Sequence, residues 1–238
     1  SYANLNQSYL INANLKDADL YYAYVNDAYL SGADLSFVDG RSINLIGTAL
    51  VGTNLENTDF RWADLTDAYL NYADLADANF DYANLTGVDL SHAVGNAVKF
   101  FSVELVDSQF EYSYFTYPDF RYANLHSADM SDSSFLHGDF EYADLSDATI
   151  QYTDLTGSDL SNTDMSNANL HTSTMVKTVM HYTNLTGAWM RYADLTRAVM
   201  SWGNMEDADL MYAELSYASV YGSNLKGANL YGTDLDDA

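Results

Sequence analysis

Ala18-Asp19-Leu20-Tyr21-Tyr22-Ala23-Tyr24-Val25-Asn26-Asp27 holds two copies of one five-residue unit. Each copy runs from a small residue through a varied, mostly polar one to a large apolar one, and then adds two free residues. Working outward, the phase holds in both directions. Of the 47 residues whose numbers are multiples of five, 45 are Leu, Phe, Met, Val or Ile, and the exceptions are Gly40 and Gly95. Two residues before each of these positions the chain is small: Ala fills 25 of 48 such sites, and only Ile43 and Pro118 depart clearly from the pattern. The repeat runs over residues 1–238 without insertion, so a single uninterrupted domain is expected.

A period of five fits neither a 3.6-residue helix nor a simple amphipathic strand. The small, polar and large residues alternate in-out-in, as a three-residue strand does, and the next two residues must turn the chain. A short strand and a bend, repeated, coil into a solenoid whose inward side chains stack in columns. The fold class is therefore all-β.

Units such as Ala18-Asp19-Leu20-Tyr21-Tyr22 and Ala63-Asp64-Leu65-Thr66-Asp67 resemble the A(D/N)Lxx unit of pentapeptide-repeat proteins, and the resemblance covers the whole chain. It implies a right-handed quadrilateral β-helix of about 12 coils with 20 residues each. The aromatics give a partial independent check. Sixteen occupy the second position after the central residue, and a period of 20 sorts them over four corners as 8, 0, 5 and 3. A period of 15 sorts them less well, as 6, 7 and 3. At an inter-strand spacing of about 4.8 Å, such a rod is roughly 57 Å long. Gly40 and Gly95 each omit a core side chain, and Phe60 and Phe115, one coil later on the same face, are expected to fill the gaps. Pro118 is expected to remove one ladder N–H at a tolerated corner.

With so uniform an interior, function is expected on the outer columns. Tyr2, Tyr22, Trp62, Tyr82, Tyr122, Tyr142, Tyr182 and Trp202 fall on one corner. Tyr72, Tyr112, Tyr152, Tyr192 and Tyr212 fall on the diagonally opposite one. Such ladders stabilise a solenoid edge by stacking and equally suit an interaction surface, where Tyr and Trp are favoured. The corner between them is rich in Asp and Gly. Asp19, Asp39 and Asp59 form one carboxylate run, and Asp119, Asp139 and Asp159 another. Stacked like charges repel, which makes these the candidate divalent-cation ligands or carboxyls of raised pKa.

The sequence carries 34 acidic and 9 basic residues, a formal charge of −25. That excludes direct nucleic-acid binding through a basic patch. The absence of Cys excludes a disulfide scaffold and suits an extracellular and an intracellular setting alike. No run of about 18 apolar residues offers a membrane span, and no basic segment leads into an apolar one as in a signal peptide. No cofactor is implied. His92, His126, His137, His171 and His181 are scattered without metal-ligand spacing, no nucleophile motif appears, and no loop is available to build a pocket. An enzyme is not expected.

Three functions remain. The first is a non-catalytic acidic rod that binds a protein, or itself end to end, since both termini fall inside the repeat. The second is a DNA mimic: some members of the resembled family are acidic rods that bind type II topoisomerases, although this sequence has neither their dimerisation helix nor their interrupting loops. The third is an extracellular or lumenal binder of glycans or cations through the Tyr and Asp columns. Of 28 Asp, 17 precede a central apolar residue, so much of the acidity belongs to the repeat itself.

Overall fold

A computed structural model describes residues 3–238. Parallel bridges join every fifth residue to the one 20 further on, from Asn4↔Tyr24 to Glu214↔Asp234, so one coil takes 20 residues. The architecture is a right-handed, four-sided β-helix. Most rungs contribute a single bridge per side. In three coils they lengthen into strands β1 (Val94–Asn96), β2 (Tyr114–Thr116) and β3 (Ser134–Leu136), which pair in parallel in that order.

Each unit uses its backbone in a fixed way, shown by the first one described. The N–H groups of Leu5 and Gln7 donate forward, to Tyr24 O at 2.7 Å and Asn26 O at 2.8 Å. The N–H of Tyr24 donates back to Ala3 O at 3.0 Å, and that of Ser8 closes a turn onto Leu5 O at 3.1 Å. Only the residue just after the central one, here Asn6, has an N–H without a backbone partner in this scheme. The Asn4 side chain accepts it at 3.1 Å. Asp34, Asp74, Asp154 and Asp194 do the same for the N–H two residues on, at 2.9–3.1 Å. These Asx turns explain the preference for Asp or Asn before the central residue: the side chain satisfies a donor that the ladder leaves over. Where Tyr24 and Lys99 offer no such acceptor, a corner residue one coil earlier serves instead: Asn6 for Asn26 N–H at 2.9 Å and Asp81 for Phe101 N–H at 3.1 Å.

The second corner residue turns the chain. From Gln7 to Asp237, at every fifth position, φ lies between 52° and 74°, the left-handed region of a type II turn. Of these 47 residues, 38 are not glycine, at a cost of order 1–3 kcal/mol each that the ladder and core must offset.

The core is a dry column. Leu30, Leu35, Leu45, Phe60 and Phe80 are fully buried, and Phe80, Phe100, Phe120 and Phe140 stack in series with centroids 4.7–5.4 Å apart. Thr and Ser in the small column bond turn carbonyls, as Thr53 Oγ1 does to Leu50 O at 2.7 Å. Both missing core side chains are compensated as expected. A Cβ on Gly40 would stand 2.5 Å from Phe60 Cδ1, whereas one on Gly95 would meet Val98 Cγ2 first, at 2.4 Å, and Phe115 Cε1 at 3.1 Å.

Pro118 corrects an expectation. Its position donates to the turn, not to the ladder, so the bond given up is the one to Phe115 O. The ladder bond from Asp139 N–H to Pro118 O is intact at 2.9 Å.

Candidate functional site

Each aromatic column belongs to the left-handed corner position, which points its side chain outward and over the next coil. Tyr2 lies outside the described residues. Trp62 stacks on Tyr82 (centroids 5.9 Å, planes 7° apart) and Tyr122 on Tyr142 (5.0 Å, 11°). Ser102 interrupts this ladder, and Phe101 from the adjacent corner position bridges the gap, 5.5 Å from both Tyr82 and Tyr122. Five rings thus run continuously from Trp62 to Tyr142. Tyr22 packs against Tyr21 at 4.2 Å, and Trp202 meets Tyr221 edge-on at 5.3 Å. Asn162 separates Tyr142 from Tyr182, so the column is not one stack.

On the opposite corner Tyr192 stacks directly on Tyr212 at 5.3 Å. The other predicted members are joined by histidine. His92 lies between Tyr72 and Tyr112 at 4.5 and 5.1 Å, and His171 between Tyr152 and Tyr192 at 5.9 and 5.7 Å. Asp132 separates Tyr112 from Tyr152. Counting only one position per corner hides Phe101 and His171, which come from the residue before. The described residues of the two predicted ladders are 41–63% exposed, so one ring face or edge remains open on each.

The corner without aromatics packs by another rule. Asp67 leans over Gly87 and Asp207 over Gly227, where a Cβ would collide with the carboxylate.

The carboxylate runs behave differently from a bare acidic column. Arg41 donates Nε–H to Asp39 Oδ1 at 2.8 Å and Nη2–H to Asp39 Oδ2 at 2.7 Å. Arg61 holds Asp59, and Arg121 holds Asp119, in the same two-bond geometry at the same distances. Arg121 also reaches Asp139 at 3.4 Å. The three guanidinium groups lie 5.1–5.6 Å from the rings of Tyr21, Trp62 and Phe101, which ties the Asp column to the aromatic corner. The signal was present in sequence as Asp39-Gly40-Arg41, Asp59-Phe60-Arg61 and Asp119-Phe120-Arg121. The Arg41 hydrogen bonds hold the Asp39 carboxyl below the ordinary carboxylate range, whereas burial pushes Asp139 up. Asp119 and Asp159 add to the latter, and Arg121 opposes it. Among the described residues no three His, Asp or Glu side chains converge as metal ligands, and no helix is long and apolar enough to cross a membrane.

One concavity corrects the expectation that a chain without loops has none. A cleft of about 590 Å³ is lined by Gln151, Asn169, His171, Trp189, Arg191 and Asp209. It arises because Trp189 projects from a face whose neighbouring rungs, Asn169 and Asp209, are short.

The class of protein defined by this fold and surface is a four-sided β-helical solenoid with its chemistry in outer columns. The profile of pentapeptide repeats matches eight copies over residues 1–36, 58–94 and, in overlapping segments, 108–238. The chain belongs to the pentapeptide-repeat family. The two unmatched stretches are those that hold Gly40 and Gly95. Among solved structures the chain is similar to HetL, a pentapeptide repeat protein involved in heterocyst differentiation regulation in the cyanobacterium Nostoc sp. strain PCC 7120. Identity is 26%, coverage 98% of this chain and 89% of that one, and the TM-score 0.50. It is also similar in fold to QnrB1, a plasmid-mediated fluoroquinolone resistance protein, at 17% identity, with 82% and 91% coverage and a TM-score of 0.60. No curated protein matches the sequence significantly.

Proposed function

We propose that the chain is a non-catalytic binding rod, a single repeat domain over residues 1–238, that engages protein surfaces through its ring columns and a second copy of itself through its ends. The observation that carries this reading is the state of the rings. They are held in register by stacking, yet the ladder members stay 41–63% exposed. Rings already ordered lose little side-chain freedom on binding, and Tyr and Trp are enriched in interfaces.

The backbone supports the self-associating part. Each coil gives the next both donors and acceptors, as Leu5 N–H donates to Tyr24 O and Tyr24 N–H to Ala3 O, so the two faces of a coil are complementary. Two rods of charge −25 repel each other, so stacking strengthens with salt. Sedimentation velocity at about 0.05 and 0.5 M salt tests this, spanning Debye lengths from above to below 10 Å. Multiples of 26.4 kDa that grow with salt are expected; a lone 26.4 kDa species at micromolar to millimolar concentration under both conditions defeats the self-association part.

A second reading is favoured by charge density. With 25 net charges over roughly 57 Å, the rod carries about one per 2.3 Å, against about one per 1.7 Å for duplex DNA. On this reading the rod mimics DNA on a type II topoisomerase, and the shared fold of the fluoroquinolone resistance protein QnrB1 supports it. A DNA gyrase supercoiling assay unaffected by micromolar chain disposes of it.

A further inference from the structure

Of the three Trp residues, Trp62 and Trp202 have aromatic partners. Among the described residues no ring stacks on Trp189, which is 64% exposed. The repeat's own stacking therefore does not account for it. Its column neighbours Asn169 and Asp209 are too short to cover the indole, which lines the cleft of about 590 Å³. That volume falls within the about 300–1,000 Å³ usual for small-molecule sites.

The polar groups around it are two amides, an arginine–aspartate pair and a histidine. Asn169 Oδ1 accepts the His171 N–H at 3.2 Å and the Asn169 amide donates to Gln151 Oε1 at 3.4 Å, which leaves the second Asn169 amide hydrogen and the Gln151 amino group available. Arg191 uses Nε–H on Asp209 Oδ2 at 2.6 Å, which leaves its terminal amino groups for another partner. Asp209 Oδ1 is taken by the N–H of Met211 at 3.2 Å and the Asn229 amide at 3.1 Å. The one carboxylate in the cleft is thus paired, and the guanidinium and carboxylate cancel in charge. His171 is held edge-on between Tyr152 and Tyr192, which fixes its ring.

We propose that this cleft binds a neutral saccharide. A pyranose presents a face of polarised C–H bonds, which suits the electron-rich face of an open indole. Its vicinal hydroxyls each donate and accept, matching the two amides, and accept from the free Arg191 amino groups. An anionic ligand meets a chain of charge −25 and an arginine already paired; a cation finds no unpaired carboxylate. The inference stands apart from self-association, since the cleft lies on a side face.

The test uses the full chain and three neutral probes, cellohexaose, maltohexaose and chitohexaose, titrated to about 5 mM by calorimetry and Trp fluorescence, with a sulfated hexasaccharide in parallel. At least one neutral probe is expected to bind saturably, with affinity at least tenfold weaker in Trp189→Ala and unchanged in Trp62→Ala. Gln151→Ala is a second, milder variant, expected to weaken binding severalfold. Thermal unfolding confirms that each variant is folded. No saturable binding of any neutral probe, binding retained by Trp189→Ala, or binding confined to the sulfated probe overturns the assignment.

Discussion

Replacing Asp154 separates the backbone role of the repeat's aspartates from their charge. Its Oδ1 accepts Thr156 N–H at 2.9 Å. Its column neighbours are Ser134 and Thr174, so no like charge flanks it. Asp154→Asn keeps an acceptor oxygen in place and removes the charge. Asp154→Ala removes both and leaves the Thr156 N–H to water in a half-buried corner. Losing an equivalent side-chain cap at a helix start costs about 0.5–2 kcal/mol, and a net hydrogen bond is worth about 1 kcal/mol. An Ala penalty of about 1 kcal/mol follows, which in a chain of this size lowers the melting temperature by about 2–4 °C. The Asn variant should stay within about 0.5 kcal/mol of the parent. Urea unfolding followed by circular dichroism, with calorimetry as a second probe, reads both. If Asn destabilises as much as Ala, charge and not acceptance is the Asp's role. If Ala melts with the parent, water serves the N–H equally well, and the explanation of the A(D/N)L pattern is wrong.

Gly40→Ala should cost about 1–3 kcal/mol by overpacking against Phe60, and Gly40→Ala with Phe60→Leu should recover most of it in the same unfolding assay. The column carboxyls should answer pH with opposite signs. Asp39, held low by Arg41, adds stability above its unfolded pKa that is lost as pH falls through the folded value; Asp139, raised by burial, gains stability as it protonates. Asp39→Asn is therefore expected to destabilise at neutral pH and Asp139→Asn to stabilise. Both differences should shrink toward about pH 3, as melting curves across the acid range will show. Trp62→Ala should cost about 0.5–1.5 kcal/mol through its lost stack on Tyr82; a larger loss would mean that the corner ring does more than stack.

Coil length and core composition were legible because a five-residue period with inward Leu and Ala admits few closures. Phe60 could be matched to Gly40 because a 20-residue coil puts them one above the other. The surface was less legible. The Asp39–Arg41 geometry depends on a side chain folding back beside its own turn, two residues along, while column arithmetic compares residues 20 apart. Phe101 and His171 enter the ladders from the neighbouring corner position for the same reason. The Trp189 cleft is a relief made by one long residue among short ones. Its sequence signal was a lone Trp in a column of Thr149, Asn169 and Asp209.

Underlying all of this is the assignment of four N–H groups in each unit to ladder and turn, with a fifth left to a side chain. Residue-resolved amide hydrogen exchange tests it directly. The account predicts a period of five, with the amide after each central apolar residue exchanging fastest. Val51, His181, Arg191 and Ser201 should be among the fastest, since Ala49, Val179, Trp189 and Val199 before them carry no acceptor oxygen. Uniform protection along the coils, or an alternation of period two as in ordinary strands, would contradict it.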